Sequence, residues 1–330
     1  MTAGSRKFWS WILSILVSGI LLYEALRGVA WAAVWHTIAT AQWRYIAAGS
    51  ATTCLSFFLR SLRWRILLNA EAGLPVSTVF WANMVGYLGN TFLPARAGEV
   101  IRSLLISNRS ALSRTYVLTT ALSERLMDVI ALVLCSSVVL LGVRNKPVWM
   151  GKASGAMAVL AGAGALVIMI LPHTGNLVET AIRHVPLPES IRLRLQSLAK
   201  QVLLGLRAFH HWVRFAGFTL LTAVIWSTDA CGTILGAKGL GLSISFPVAL
   251  LLLSAMGLGS ALPSTPGYVG VYQFVAVTVL TPFGIGRDAA LAYILVVQAV
   301  TYVLVPLLGL PGLYILQGGS LRELSAQARK

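Results

Sequence analysis

Three groups of ionisable or helix-breaking residues in this 330-residue chain could bind or move a charged ligand. The first group follows Asn90 and consists of Pro94, Arg96, Gly98, Glu99 and Arg102. Because proline is favoured at the start of a helix, Pro94 predicts a helix that places Arg96, Glu99 and Arg102 close together. Two guanidiniums beside the free amides of a helix start would form a phosphate receptor, with Glu99 orienting one of them. The alternative is a cytoplasmic cap with ordinary surface ion pairs.

The second group, Glu124, Arg125 and Asp128, lies inside a long apolar segment. Glu124 and Asp128 are four positions apart and therefore share one face of a helix. Two carboxylates inside a membrane need cationic partners, and the candidates are Arg60, Arg63, Arg96 and Arg102. The pair could take up a proton during transport, or it could belong to a buried ion network that ties helices together. The two interpretations are compatible.

The third group interrupts a later apolar segment and consists of Pro263, Pro266, Gly267, Gly270 and Gln273. Two prolines and two glycines break a helix and let backbones approach closely. Amides freed at the new helix start could bind a headgroup, and a plain turn is the alternative. Asp229 lies near the centre of another apolar segment, where a charge is costly, so we expect it to face the bundle. The sequence identifies no partner for it.

Motifs for enzymatic catalysis are absent from the sequence. It contains no HExxH, GxSxG or GxxxxGK[ST] motif and no aspartate-rich diphosphate motif. Its five histidines have no carboxylate or cysteine at metal-ligand spacing, and its three cysteines show no CxxC spacing. We therefore expect no metal, no cofactor and no catalytic residues, and we predict that the chain is not an enzyme.

The composition indicates that membrane helices position these residues. Apolar residues make up 57% of the chain and charged residues 11%, against about 25% charged residues in soluble domains. The mean hydropathy of +0.79 agrees. These values exclude a soluble enzyme and a disordered chain. In a membrane protein the net charge of +16 indicates positive-inside loops and contact with anionic phospholipid headgroups rather than nucleic-acid binding.

Long apolar segments predict an all-α polytopic membrane protein. Six of them are long enough to be complete transmembrane helices, at 8–26, 45–62, 115–142, 153–171, 215–236 and 289–316. Two shorter segments end in Pro/Gly-rich sequence and precede further apolar stretches, giving the pairs 76–93 with 100–112 and 246–262 with 268–283. Paired interrupted helices are typical of transporter substrate sites. We therefore predict two re-entrant hairpins that form an inverted repeat, with ordinary helices ended by loops as the alternative.

We expect a single membrane domain over residues 1–330, with halves of about 1–150 and 151–330. With both hairpins returning to their side of entry, the predicted cytoplasmic segments hold 18 Lys and Arg and the opposite side holds 7. This asymmetry predicts a multi-pass protein of the cytoplasmic (inner) membrane with both termini in the cytoplasm. Segment 172–214 contains an amphipathic stretch, which predicts a cytoplasmic connector that touches anionic lipid or packs on the bundle. Most tryptophans, including Trp64, are expected in interfacial belts.

The three groups together resemble one family. Their order and spacing are similar to those of the flippase-like transmembrane domain of lysylphosphatidylglycerol synthases (the MprF type), over roughly residues 8–316. Gln273 departs from the pattern, since many relatives are expected to carry an acidic residue there. We expect a stand-alone member without the aminoacyl-transferase domain, so that transfer of lysine is not expected.

The resemblance implies a flippase-like transporter of an anionic or zwitterionic phospholipid, a glycolipid or a polyprenyl-phosphate-linked lipid. In this hypothesis Arg96 and Arg102 engage the phosphate, while Glu99, Glu124, Arg125 and Asp128 form a coupled polar network. The Pro/Gly segments 93–98 and 262–270 shape the cavity. The alternatives are a membrane-embedded transferase acting on a lipid-linked sugar and a scaffold for lipid or envelope biosynthesis. A second copy of the chain is a further candidate partner.

Overall fold

The computed structural model describes residues 3–93, 97–142, 173–184, 188–207, 211–260 and 264–327, with isolated positions between 155 and 170 and at 209 and 262. Within these residues the regular elements are helices: α1 (Ala3–Leu26), α2 (Trp31–Ala39), α3 (Trp43–Leu68), α4 (Val76–Phe92), α5 (Ala97–Ser107), α6 (Arg114–Gly142), α7 (Gly175–His184), α8 (Glu189–Arg207), α9 (Trp212–Gly239), α10 (Phe246–Gly259), α11 (Val271–Leu280) and α12 (Arg287–Gln327). The predicted all-α polytopic fold is confirmed. Most of the predicted span 153–171 lies outside the described residues, as do Pro94, Arg96 and Pro263.

Several helices are long enough to cross a membrane. α9 and the Arg287–Leu316 part of α12 qualify by length and composition, and α1 qualifies together with α2 across an 84° bend. α3 and α6 have 26 and 29 residues, or about 39 and 44 Å at the rise of an α-helix. Their charged residues lower their hydropathy. These charges pair with one another inside the bundle, as described below.

Both predicted interruptions occur, and each pair of helices folds back on itself. α4 and α5 are in backbone contact, because a Cβ on Gly98 would collide with the carbonyl oxygen of Gly86. Between α10 and α11 the described residues include the short turn 266–268, and Gly267 and Gly270 have φ angles of 72° and 86°. Glycine adopts these angles without strain, which is why the sequence can turn here. Gly259 then packs against α11.

The helices contact one another in a pattern that repeats between the two halves. When α2–α6 are matched in order with α8–α12, contacts in one half have counterparts in the other. α4 packs on α5 as α10 packs on α11, and α5 packs on α6 as α11 packs on α12. Contacts between the halves also match, since α4 packs on α12 as α10 packs on α6, and α2 packs on α12 as α8 packs on α6. α3 packs on α9, its own counterpart.

Two repeats related by a pseudo-two-fold axis beside α3 and α9 would produce this packing. Glycines allow the close approach at that axis, where a Cβ on Gly49 would lie 3.1 Å from the carbonyl oxygen of Gly232. Two apolar cores lie in the bundle, one around Leu67 that is built mostly from the first half and one around Leu252 that is built mostly from the second. Each also takes in a few residues of the other half. The opposed orientation of the two halves in the membrane stays a prediction.

Candidate functional site

Eight ionised side chains form one continuous chain in which arginine and carboxylate alternate. We call it the ion network; in order it consists of Arg125, Glu99, Arg102, Glu124, Arg63, Asp128, Arg60 and Asp229. They come from α3, α5, α6 and α9, so the network ties both halves together. Four positive and four negative charges cancel. The net charge of the protein therefore lies elsewhere.

Arg63 is the centre of the ion network and is fully buried. Its Nη2 donates to Glu124 Oε1 at 2.9 Å, and its Nη1 donates to Asp128 Oδ1 at 2.6 Å and to Thr222 Oγ1 at 3.1 Å. One guanidinium thus joins the two carboxylates whose spacing on α6 indicated a shared helix face. Charge-assisted, bidentate bonds of this kind fix the relative positions of α3, α6 and α9.

Arg102 fastens the first hairpin to the ion network and is 2% exposed. Its Nε donates to Glu99 Oε2 at 2.7 Å, its Nη1 to Asn83 Oδ1 at 2.6 Å and its Nη2 to Glu124 Oε2 at 3.1 Å. Asn90 donates to the other oxygen of Glu99 at 3.3 Å. The carboxylates and the carboxamide therefore engage all three nitrogens of Arg102.

The two ends of the ion network differ in charge and in exposure. At one end Arg60 Nη2 donates to Asp229 Oδ2 at 2.6 Å, and Arg60 Nη1 lies 3.7 Å from Asp128 Oδ2. At the other end Arg125 Nε donates to Glu99 Oε1 at 2.8 Å. The Arg125 side chain is 30% exposed, whereas those of Arg60 and Asp229 are 12% and 15% exposed. Asp229 thus has the partner that the sequence did not identify.

Each arginine of the ion network also lies over an aromatic ring, at 4.3 to 5.9 Å from guanidinium carbon to ring centroid. The pairs are Arg60 with Trp226, Arg63 with Phe218, Arg102 with Trp64 and Arg125 with Tyr87. The assignment of Trp64 to an interfacial belt is corrected, because its indole is fully buried beneath Arg102. Such rings replace water around a buried cation. No spacing rule in the sequence connects these rings to the arginines.

The structure changes the expected position of Arg102. The sequence placed it with Arg96 at the open mouth of a hairpin, and Arg96 lies outside the described residues. Because Gly86 and Gly98 let α4 and α5 touch, Arg102 turns into the bundle and its donors are used there. A phosphate receptor built on Arg102 would have to displace a carboxylate.

The second half carries a neutral network at the corresponding place. Gln273 is 3% exposed; its Oε1 accepts from the Gly270 amide at 2.7 Å and its Nε2 donates to Gln298. Gln298 in turn donates to the Gly267 carbonyl oxygen at 3.1 Å, which also accepts from the Tyr302 hydroxyl at 3.3 Å. Gln298 and Tyr302 are four positions apart on α12, as Glu124 and Asp128 are on α6. The site is therefore ionised in one half and neutral in the other.

The turn of the second interruption packs against the first hairpin. The turn 266–268 packs against α4, and the ring of Phe92, the last residue of α4, lies 6.2 Å from the ring of Tyr302. α1 covers the second interruption, where the Thr265 amide donates to Ser18 Oγ at 2.9 Å. Tyr268 has a φ of 60°, an angle that is uncommon for a residue with a side chain. The irregular backbone of the second half thus lies close to α4, and the end of α4 lies close to α12.

The described residues contain no group of three His, Cys, Asp or Glu side chains placed to hold a metal ion. The carboxylates of the ion network have guanidiniums as their partners instead.

One curated relative is a glycosyltransferase. The protein named Glycosyltransferase AglD, from Haloferax volcanii, is 24% identical over 271 residues, which cover 71% of this chain and 42% of that protein. The chain thus spans less than half the length of the curated relative that it matches. The prediction that the chain is not an enzyme is contradicted by this comparison, because similarity to a glycosyltransferase favours enzymatic activity.

A family model covers most of the chain and includes all eight members of the ion network. Residues 11–309 match the model described as the lysylphosphatidylglycerol synthase TM region. The match contains both interrupted hairpins and the neutral network around Gln273. The resemblance noted from the three residue groups is thereby confirmed, and this chain belongs to the lysylphosphatidylglycerol synthase transmembrane-region family, whose function concerns membrane lipids.

Proposed function

We propose that the chain binds a phosphate-bearing lipid and carries its headgroup across the membrane where the two interrupted hairpins meet. The observation that supports this most directly is the contact of the turn 266–268 with α4, together with the pairing of Phe92 and Tyr302. Non-helical backbone inside a membrane is tolerated only where it is buried in protein or lines a cavity. Paired interrupted segments in two halves are the usual position of a transported substrate.

The difference between the two networks supports different roles for the two hairpins, one fixed and one mobile. The first hairpin is fastened by charge-assisted bonds whose separation would leave buried ions unpaired. The second is held by hydrogen bonds between neutral groups, each with a modest net contribution of about 1 kcal/mol. The second hairpin therefore leaves its position at lower cost. In this proposal it moves against the first hairpin, and the ion network keeps the frame fixed.

Reconstitution tests the translocation proposal. Purified protein in vesicles with a fluorescent nitrobenzoxadiazole-labelled phospholipid should make the inner-leaflet label accessible to dithionite faster than in empty vesicles. In a variant without native cysteines, Phe92→Cys and Tyr302→Cys together should be joined by a short bifunctional methanethiosulfonate, which should stop translocation until a reductant is added. Each single cysteine variant is the matched control. Equal translocation by empty vesicles, or by the joined protein, would refute the proposal.

A second candidate function is the transfer of a sugar to or from a polyprenyl-phosphate-linked lipid. The similarity to a glycosyltransferase favours it. In this role the region between the hairpins would hold the lipid-linked substrate during transfer rather than move it. Purified chain incubated with a radiolabelled polyprenyl-phosphate sugar and an acceptor lipid tests it by chromatography of the products. Transfer without translocation would select this function over the first, and the absence of any labelled product would reject it.

We also propose that the host membrane is the cytoplasmic membrane, with both termini inside. The support is the excess of basic residues in segments 60–114 and 172–214. Within the second segment, α8 packs on α6 through its C-terminal part, while Ile191, Leu195 and Leu198 near its start are 38–47% exposed. Arg192 and Arg194 flank this apolar stripe. At an anionic membrane surface the apolar stripe would contact acyl chains and the arginines would contact headgroups.

A further inference from the structure

Arg125 differs from the other members of the ion network in its exposure. Its side chain is 30% exposed, whereas the seven others are between 1% and 15% exposed. Among the contacts between described residues, only its Nε has a hydrogen-bond partner, Glu99. The guanidinium carbon lies 5.9 Å from the centroid of the Tyr87 ring of α4. The two terminal nitrogens have no hydrogen-bond partner among the described residues. They keep the planar pair of donors that an oxyanion accepts.

The order of charges leaves an excess of positive charge at this end. Each inner member of the ion network has an opposite charge on both sides, but Arg125 has only Glu99, which Arg102 shares. At the far end Asp229 has only Arg60, so the row of charges begins positive and ends negative. An anion is therefore favoured at Arg125 and disfavoured at Asp229.

Arg125 lies too far along α6 for its guanidinium to be surrounded by lipid tails alone. It is the twelfth residue of the 29-residue helix α6, about 17 Å from the first residue at the rise of an α-helix. A guanidinium near the middle of a spanning helix faces a polar cavity or an anion, because lipid tails cannot solvate it.

We propose that Arg125 is the cation that binds the lipid phosphate, through its two terminal nitrogens. This assignment rests on the proposed lipid-binding function and differs from a receptor built on Arg102, whose donors are already used. The ligand class is a phosphate-bearing amphiphile. Glu99 is a positioning residue in this site, since it holds the guanidinium by its Nε and makes no hydrogen bond to the two terminal nitrogens.

Binding of two lipids with identical tails tests the assignment. Dioleoylphosphatidic acid carries a phosphate and dioleoylglycerol lacks it, and both are titrated into purified full-length protein in detergent with native mass spectrometry as the readout. One charge-assisted bidentate contact should give wild type about tenfold or more preference for the phosphatidic acid. Arg125→Gln should abolish the preference, and Arg125→Lys should keep part of it, because lysine retains the charge but not the fork.

A matched control residue lies in the first turn of α3. Arg44 is also an arginine over a tyrosine, at 4.8 Å from the Tyr45 ring, but it is exposed and lies outside the ion network. Arg44→Gln should bind both lipids as wild type does. The thermal unfolding temperature of each variant shows whether a loss of lipid preference comes from a loss of folding. Arg125→Lys provides the same check with the positive charge retained.

Three outcomes overturn the assignment: wild type without a preference, Arg125→Gln with an unchanged preference, and inorganic phosphate alone competing as strongly as the phosphatidic acid. The last would indicate a site for a free anion rather than for a lipid headgroup. Failure of the proposed function is distinguishable. If binding depends on Arg125 while vesicles show neither translocation nor sugar transfer, the site stands and the function does not. If translocation occurs but the preference for phosphatidic acid does not depend on Arg125, only the assignment of Arg125 as the phosphate-binding residue fails.

Discussion

Replacing Arg63 with glutamine should destabilise the protein more than replacing Arg125 with glutamine. Arg63 is fully buried and donates five hydrogen bonds, to Glu124, Asp128 and Thr222. Without it Glu124 keeps Arg102 at 3.1 Å, but Asp128 keeps only Arg60, at 3.7 Å. Most of the penalty therefore falls on Asp128.

The expected size follows from the burial of the charge that is left behind. Removing one partner of a buried ion pair costs about 3–5 kcal/mol in the free energy of unfolding. Arg125 is 30% exposed, and its partner Glu99 keeps Arg102 at 2.6 Å. Loss of such a partly exposed pair costs about 1 kcal/mol. The two substitutions should therefore differ by about 2 kcal/mol or more.

A second substitution should restore part of the stability. In Arg63→Gln with Asp128→Asn the ion network has three arginines and three carboxylates, and the poorly paired carboxylate is gone. Equilibrium unfolding in mixed micelles, with the single variants completing a double-mutant cycle, measures the effect. The reasoning is refuted if Arg63→Gln is no less stable than Arg125→Gln, or if the double variant is less stable than Arg63→Gln alone.

Three further substitutions have defined outcomes. Gln273→Glu should lower the free energy of unfolding by about 2 kcal/mol or more, because the hydrogen-bond partners of Gln273 are neutral. The control substitution Gln42→Glu, at an exposed position, should change the free energy of unfolding little. Gly270→Ala should cost about 1–3 kcal/mol or more, since its φ is 86° and a Cβ would strike the backbone of α1, whereas Gly286→Ala adds a methyl group to open space. Ser190→Cys, in a background without native cysteines, should react with an impermeant maleimide only from the cytoplasmic side; labelling of intact cells from outside would reverse the proposed topology.

The helices and their interruptions could be predicted because both depend on local sequence. Apolar runs of sufficient length indicate membrane helices, and Pro/Gly clusters indicate where they break. The predicted segments 45–62 and 215–236 lie inside α3 and α9, which extend further at both ends. The extra turns carry charged or aromatic residues such as Arg65 and Trp212, and hydropathy alone does not assign these to a helix.

The membership of the ion network could be predicted only in part. Helix spacing placed Glu124 and Asp128 on one face, and their cost in a membrane indicated arginine partners. The pairing of Asp229 with Arg60 joins residues 169 positions apart, so it depends on the packing of α3 against α9. No periodicity contains that information. The same holds for the buried rings beneath the arginines.

The position of Arg102 differs from the expected one for a geometrical reason. Spacing along a helix specifies which side chains are neighbours, but not which way the helix faces. Gly86 and Gly98 determine that direction, because they allow α5 to lie against α4 with Arg102 between the helices. The sequence pattern places Gly98 in a Pro/Gly segment and assigns no role to Gly86. In the structure, these two are sites of close contact between helices.

The departure at Gln273 becomes intelligible from the repeat. Corresponding places in the two halves hold Glu99 with two arginines and Gln273 with Gln298. A carboxylate at position 273 would need a guanidinium, and the recorded contacts of the second network include none. A neutral side chain at position 273 therefore matches the neutral partners around it. In the proposed mechanism the ionised half stays in place and the neutral half moves, so Arg125 lies on the half that stays.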